Sequence, residues 1–278
     1  MNKLLSIEFL KISNYRIARF FILLYFVLLG VAAFGLSQKI SFFGLKLNLG
    51  DLSAFDFPNV WHFVTYFAAI AKLFLAIIII TTVTNEFSYG TLKQNLIDGL
   101  TKKEFIFSKT LTAVILSFVS TLVVFLIALI LGLNFTEGEY SIFEEFKYVP
   151  AYFLKLITFF SFCIFLSVLV RKSAFAFALF FIWWIMEAIF SGIETLIRFQ
   201  MMDQNVINVA DFKLTNYLPL SSMAHLIPLP FKRFAELDKV TQGQMESIDI
   251  DMTYVLICVW YFIMFTYASY WLVKKRDL

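Results

Sequence analysis

Six stretches of predominantly apolar residues, at 17–37, 60–84, 110–133, 151–170, 174–192 and 252–273, decide the solvent in which this chain folds. With a rise of 1.5 Å per residue, a helix of about 20 residues matches the roughly 30 Å of hydrocarbon in a bilayer. Inside hydrocarbon, every backbone N–H and C=O must find its partner within the protein, and a helix does so within one segment. The composition agrees. The chain is 60% hydrophobic and 15% charged, with 36 phenylalanines among 278 residues, whereas soluble domains run near one half and one quarter. The expected fold is an all-α polytopic membrane protein, with residues 1–278 forming a single transmembrane domain.

The charges sort by side. The N-terminal segment, the interval 85–109, the corner at 171–172 and the C-terminal tail together hold thirteen Lys and Arg against five acids. The intervals 38–59, 134–149 and 193–251 hold eight against fourteen. Positive charge marks the cytoplasmic face, so both termini are expected inside, in a cell (inner) membrane. Leu5, Phe9 and Ile12 share one helical face, which predicts an interfacial helix over residues 1–16. No cleavable leader is expected, because polar residues reach Arg19 and no small-residue cleavage pattern follows. A net charge of +3 gives no reason to expect nucleic acid as a partner. Cys163 and Cys258 lie within apolar runs and read as packing residues.

The interval from Asn85 to Lys109 is the most informative polar segment. Leu92, Leu96 and Ile97 form a short apolar stripe beside Lys93, with Gly99 as a helix stop. Thr101 and Glu104 have the spacing of a capping box, which predicts a new helix beginning there. The segment therefore reads as two helices meeting at a glycine corner. Ser141 and Glu144 repeat the spacing, suggesting a short surface helix before Pro150. The long outer loop at 193–251 contains an apolar, proline-broken stretch, Asn216–Phe231, expected to lie on or dip into the interface.

No catalytic motif stands out, and no metal site is expected. The sequence has no H-E-x-x-H, G-x-S-x-G or C-x-x-C, and no G-x-x-x-x-G-K-[ST] to cradle phosphates. His62 falls at an interface beside Trp61, and His225 follows Ser221 and Ser222 without a placed acid. Three charges remain inside spans: Lys72, Lys155 and Glu187. Each is costly in lipid and so marks a candidate site. Helix arithmetic sets Lys155 and Glu187 about 21–23 Å above the inner face, which makes them candidate neighbours, whereas Lys72 falls nearer 12 Å.

The ordered set Glu86-x-x-x-Gly90-Thr91-Leu92, followed by Gly99 and then by Lys103, Phe105 and Lys109, resembles the E-x-x-x-G-T-[LF] … [RK]-x-x-[FI]-x-x-[SG]-K pattern of ABC-2 type permeases. These are the membrane subunits of type V-like ABC exporters, and the resemblance covers most of the chain. The chain departs from the pattern where members often carry Pro before an Arg: here Gly99-Leu100-Thr101 precede Lys102 and Lys103, which leaves the register of the corner open. The resemblance implies a permease that pairs with a second permease subunit, as homodimer or heterodimer, with two copies of a cytoplasmic ATPase beneath. ATP and Mg would bind to that partner and no cofactor to this chain. It further implies that Thr91–Leu100 is a coupling helix. Glu86, Gly90 and Thr91 would secure the turn into it. Leu92, Leu96 and Ile97 would dock on the ATPase, with Lys93, Lys102 and Lys103 at the polar edge.

The expected cargo is a hydrophobic or amphipathic drug, peptide or lipid; aromatics such as Phe20, Tyr25, Phe180 and Trp184 in spans one and five could line its path, although aromatics in membrane proteins more often face lipid or pack between helices. An ion-coupled secondary transporter is the main alternative, although no repeat relates residues 1–133 to 134–278. An intramembrane enzyme built on His225 is a weaker one.

Overall fold

The computed structural model describes residues 8, 10–37, 40–42, 45–47, 55–136, 141–203, 213–230 and 249–276. The protein is an all-α polytopic membrane protein with six helices long and apolar enough to cross a bilayer. A helical turn over 10–14 leads into α1 (Arg16–Ser37). The hairpin strands β1 (Ile40–Phe42) and β2 (Leu45–Leu47) pair antiparallel, an element no span pattern foretold. There follow α2 (Asn59–Ser88), α3 (Thr91–Ile97), α4 (Lys102–Phe135), α5 (Tyr148–Val170) and α6 (Ser173–Asp203). A 3-10 turn, Leu214–Tyr217, precedes the short α7 (Pro219–His225), and α8 (Met252–Lys275) ends the described fold.

The helices outrun the apolar segments that announce them. Asn85–Ser88 belong to α2 and Lys102–Lys109 to α4, so 85–109 is mostly helix rather than loop. Residues 193–203, expected in the outer loop, continue α6. Hydropathy registers contact with lipid, whereas a helix ends only where its backbone is capped. The expected surface helix near 141–147 is a series of turns instead, and Glu145 there sits at φ 62°. Leu5 and Phe9 lie outside the described residues.

α5 is the central rod. About two thirds of its apolar window is buried (67%), against 17% for α1, α6 and α8. α8 and α2 pack most broadly against it, with α4 and α6 next, and α1 leans on α2. The outward faces of α6 and α8 present Phe181, Trp184, Phe190, Trp260 and Trp271, as lipid-facing helices do. Between helices, several polar groups are satisfied internally. Tyr25 of α1, Ser120 of α4 and Tyr152 of α5 form a buried hydroxyl triangle, with Tyr25–Tyr152 at 2.8 Å and Ser120–Tyr152 at 3.1 Å. In hydrocarbon such bonds act as interhelical ties. Cys163 and Cys258 are buried free thiols.

The bundle has two chemically different ends. At the acidic end, Trp61 Nε1 donates to the Ile142 carbonyl at 2.7 Å, and Lys147 meets Asp249 at 2.5 Å. At the basic end, the N-terminal helical turn, the α2–α3–α4 corner, the α5–α6 corner and the tail all converge.

Candidate functional site: a charged corner at the basic end of the bundle

The corner is built by local backbone chemistry. α2 stops at Ser88, and Gly90 adopts φ 69°, in the left-handed region where a side chain costs about 1 kcal/mol or more. α3 then runs for seven residues. It closes in a Schellman motif: Gly99 takes φ 100°, Leu100 N–H donates to the Asn95 carbonyl at 2.9 Å, and Gly99 N–H donates to the Leu96 carbonyl at 3.2 Å. Thr101 opens α4 with the expected capping box. Its N–H donates to Glu104 Oε2 at 2.9 Å, and Glu104 N–H donates to Thr101 Oγ1 at 3.2 Å. A Cβ at either glycine would meet nothing within 4 Å, so the requirement there is conformational rather than steric.

A buried ion cluster braces this corner from within. Glu86, in the last turn of α2, and Lys109, two turns into α4, form an ion pair. Lys109 Nζ also reaches Glu8 Oε2 at 2.7 Å, and Lys11 Nζ reaches Glu86 Oε1 at 2.9 Å. Glu8, Glu86 and Lys109 are 6%, 4% and 2% exposed. An acid at a helix C-terminus opposes the helix dipole, so Glu86 depends on its two lysines for compensation. Burial pulls the Lys11 ammonium down, but the hydrogen bond and charge of Glu86, aided by Glu8, hold it above the ordinary lysine value. Its stabilising contribution is therefore complete below that ordinary value and is lost only as pH rises through the elevated one. Glu86 thus joins three segments, through Lys11 and Lys109.

The expected docking face needs correction. Leu92 is buried and Leu96 half-buried, both packed against the protein's own core. Ile97 is 77% exposed and Tyr89 75% exposed, so these two form the free apolar face. Thr91 is half-buried at the start of α3. Lys93 is exposed and, with Ser88, Arg171 and Lys172, borders a cavity of about 550 Å3 beside Glu86. Lys102 is tied elsewhere: its Nζ donates to the Arg276 carbonyl at 2.7 Å. Arg276 in turn donates to the Val168 and Leu169 carbonyls at 2.6 and 3.1 Å, capping the end of α5. Lys103 borders a groove facing α8.

The intramembrane charges fall into two places. Glu187 makes no ion pair with Lys155. Its carboxylate accepts from Leu220 N–H (3.0 Å), Ser221 N–H (2.9 Å), Ser221 Oγ (3.0 Å) and Trp183 Nε1 (2.6 Å). It therefore anchors the start of α7 at a point about 21 Å along α6 from Ser173, at 1.5 Å per residue. Pro219 at the first position of α7 was the sequence sign of a helix start there. Hydrogen bonds to a charged group each contribute about 1.5–3 kcal/mol. Glu187→Ala should accordingly destabilise the purified protein by about 3 kcal/mol in thermal unfolding, with Glu187→Gln intermediate. His225 Nδ1 meets the Ser221 carbonyl oxygen at 2.7 Å, while the Ser221 hydroxyl serves Glu187, so the two do not form a nucleophile–base pair. His62 is stacked on Tyr148 with ring centres 4.1 Å apart, and its Nε2 donates to the Pro228 carbonyl.

Residues 37–278 match a family model described as "Protein of unknown function (DUF2705)". No curated protein matches the chain.

Proposed function

The chain belongs to that family, and from the corner described above we propose that it is the permease subunit of an ATP-driven ABC-2 type exporter. Its free partner-facing element would be α3, and its power source a separate ATPase. The observation that carries this reading is the Glu86–Lys109 pair. It joins the two residues that begin and end the E-x-x-x-G-T … S-K pattern, across the short helix α3 that links α2 and α4. With both glycine turns and the capping box fixed, α2, α3 and α4 act as one angled lever. A push on Ile97 and Tyr89 is delivered to two membrane rods rather than absorbed in a flexible loop.

The charge asymmetry orients the lever toward the cytoplasm, with both termini inside. Two permease subunits and two ATPase chains would complete the transporter, with ATP and Mg held by the ATPases. The cargo is a hydrophobic or amphipathic molecule. The ion-coupled alternative draws on α7, a half-helix at membrane depth, but such carriers pair broken helices between repeats. No second one occurs in residues 55–136.

Purification from the native host in a mild detergent tests the reading. A P-loop ATPase should accompany the wild-type chain and be lost from Ile97→Asp. Recovery of the permease free of any ATPase, at expression levels that preserve stoichiometry, would count against it.

A further inference from the structure

The lever does not use Lys72 and Lys155, and these two lysines have no counterion among the described residues. Lys155 is 4% exposed, about 10 Å along α5 from Tyr148 at 1.5 Å per residue. Lys72 is half-buried near the middle of α2, its Nζ 4.4 Å from the centre of the Phe159 ring. Phe159 lies one turn beyond Lys155 on the same face of α5, which sets Lys155 and Lys72 on either side of one ring. Neither lysine has an acidic or hydrogen-bonding partner among the described residues. Glu187, the one acid within a span at comparable depth, is fully engaged by α7 and Trp183.

Two lysines packed between helices at membrane depth would, as ammonium ions, repel each other and be poorly solvated. A ring face offsets part of that cost for Lys72, as a cation over an aromatic does. Nothing described offsets it for Lys155. A single anionic group between the two ammonium ions would compensate both and leave the apolar surroundings to a hydrophobic body. Phe159, against which Phe180 of α6 packs edge-on at 5.7 Å, supplies such surroundings.

We infer that Lys72 and Lys155 form an intramembrane site for the acidic head of an amphipathic molecule, a phosphate or carboxylate carried on one or two hydrocarbon chains. As a statement about cargo it rests on the transport reading, but as a binding site it does not.

The test uses the full chain purified in an uncharged maltoside detergent, with no ATPase present. Dioleoylphosphatidylglycerol, dioleoylphosphatidylcholine and dodecanoate are titrated by native mass spectrometry, with thermal unfolding as a second readout. At least one of the two anions should bind about tenfold more tightly than the zwitterion, and binding should raise the unfolding temperature. The fold-change corresponds to one charge-assisted contact. Lys155→Met and Lys72→Met should each remove that preference, and Lys72→Arg should retain it. The Met variants should unfold no lower than wild type when no anion is added, since each removes a polar group that has no partner among the described residues. A preference for phosphatidylglycerol alone would identify a lipid headgroup, and one for dodecanoate alone a single-chain acid. Wild type showing no preference for either anion overturns the inference, as does a preference unchanged in both Met variants. An anion site without a co-purifying ATPase would retain the site and remove the transport reading. An ATPase partner without anion preference would do the reverse.

Discussion

Lys109→Met should lower the stability of the protein by about 3–5 kcal/mol, the usual consequence of leaving a buried charge without its partner. Two acids are stranded together, because Glu8 and Glu86 both depend on the one Nζ, and only Lys11, which is partly exposed, remains near them. For a chain of this size the melting temperature in detergent should fall on the order of 10 °C. The control distinguishes charge from shape. Combining Lys109→Met with Glu8→Gln and Glu86→Gln removes the stranded charges and should recover most of the loss, as replacement of a whole buried ion group commonly does. If the triple variant is as unstable as the single one, the cluster is not held together electrostatically.

Under the proposed coupling role of α3, Ile97→Asp should abolish ATPase-coupled transport while changing stability by less than about 0.5 kcal/mol, as expected for an exposed surface position. The contrast with Leu92→Asp is diagnostic. Leu92 is 1% exposed, so an acid there is an unpaired charge in the protein's own core, and the variant should fail by unfolding. Gly99→Val falls between these. It must place a β-branched residue at φ 100°, costing about 1–2 kcal/mol and shifting the angle of the lever, so transport should drop more than stability does. Vesicle transport and thermal unfolding measured on the same three variants separate contact, core and geometry. Equal transport by Ile97→Asp and wild type would mean that α3 is not the element through which work enters.

The sequence exposed what is local and concealed what is distant. Six apolar runs were enough for the fold, because lipid accepts no other spanning structure from such segments. Gly99 and the Thr101–Glu104 box were readable because a helix stop and a helix start are decided within a few residues. The partnership of Glu8 with Lys109 crosses 101 residues and leaves no local mark. The helix ends were also hidden, since Asn85–Ser88 and Lys102–Lys109 remain helical after leaving the apolar segment. Lys155 and Glu187 show the limit of depth arithmetic. Rise per residue gives height along a rod but not the direction a side chain faces, and Glu187 faces α7. The same missing rotation misassigned Leu92 and Leu96 to a docking face, whereas Ile97 and Tyr89 are the residues exposed there.

The most direct measurement places a photocrosslinking amino acid at position 97 in otherwise wild-type protein in native membranes and identifies what is captured on irradiation. The account predicts a covalent product with a cytoplasmic P-loop ATPase, strong at 97, weaker at the neighbouring Lys93 and absent at the buried position 92. Capture of an extracytoplasmic protein at 97, or an ATPase captured only from positions on the opposite end of the bundle such as 143, would contradict it.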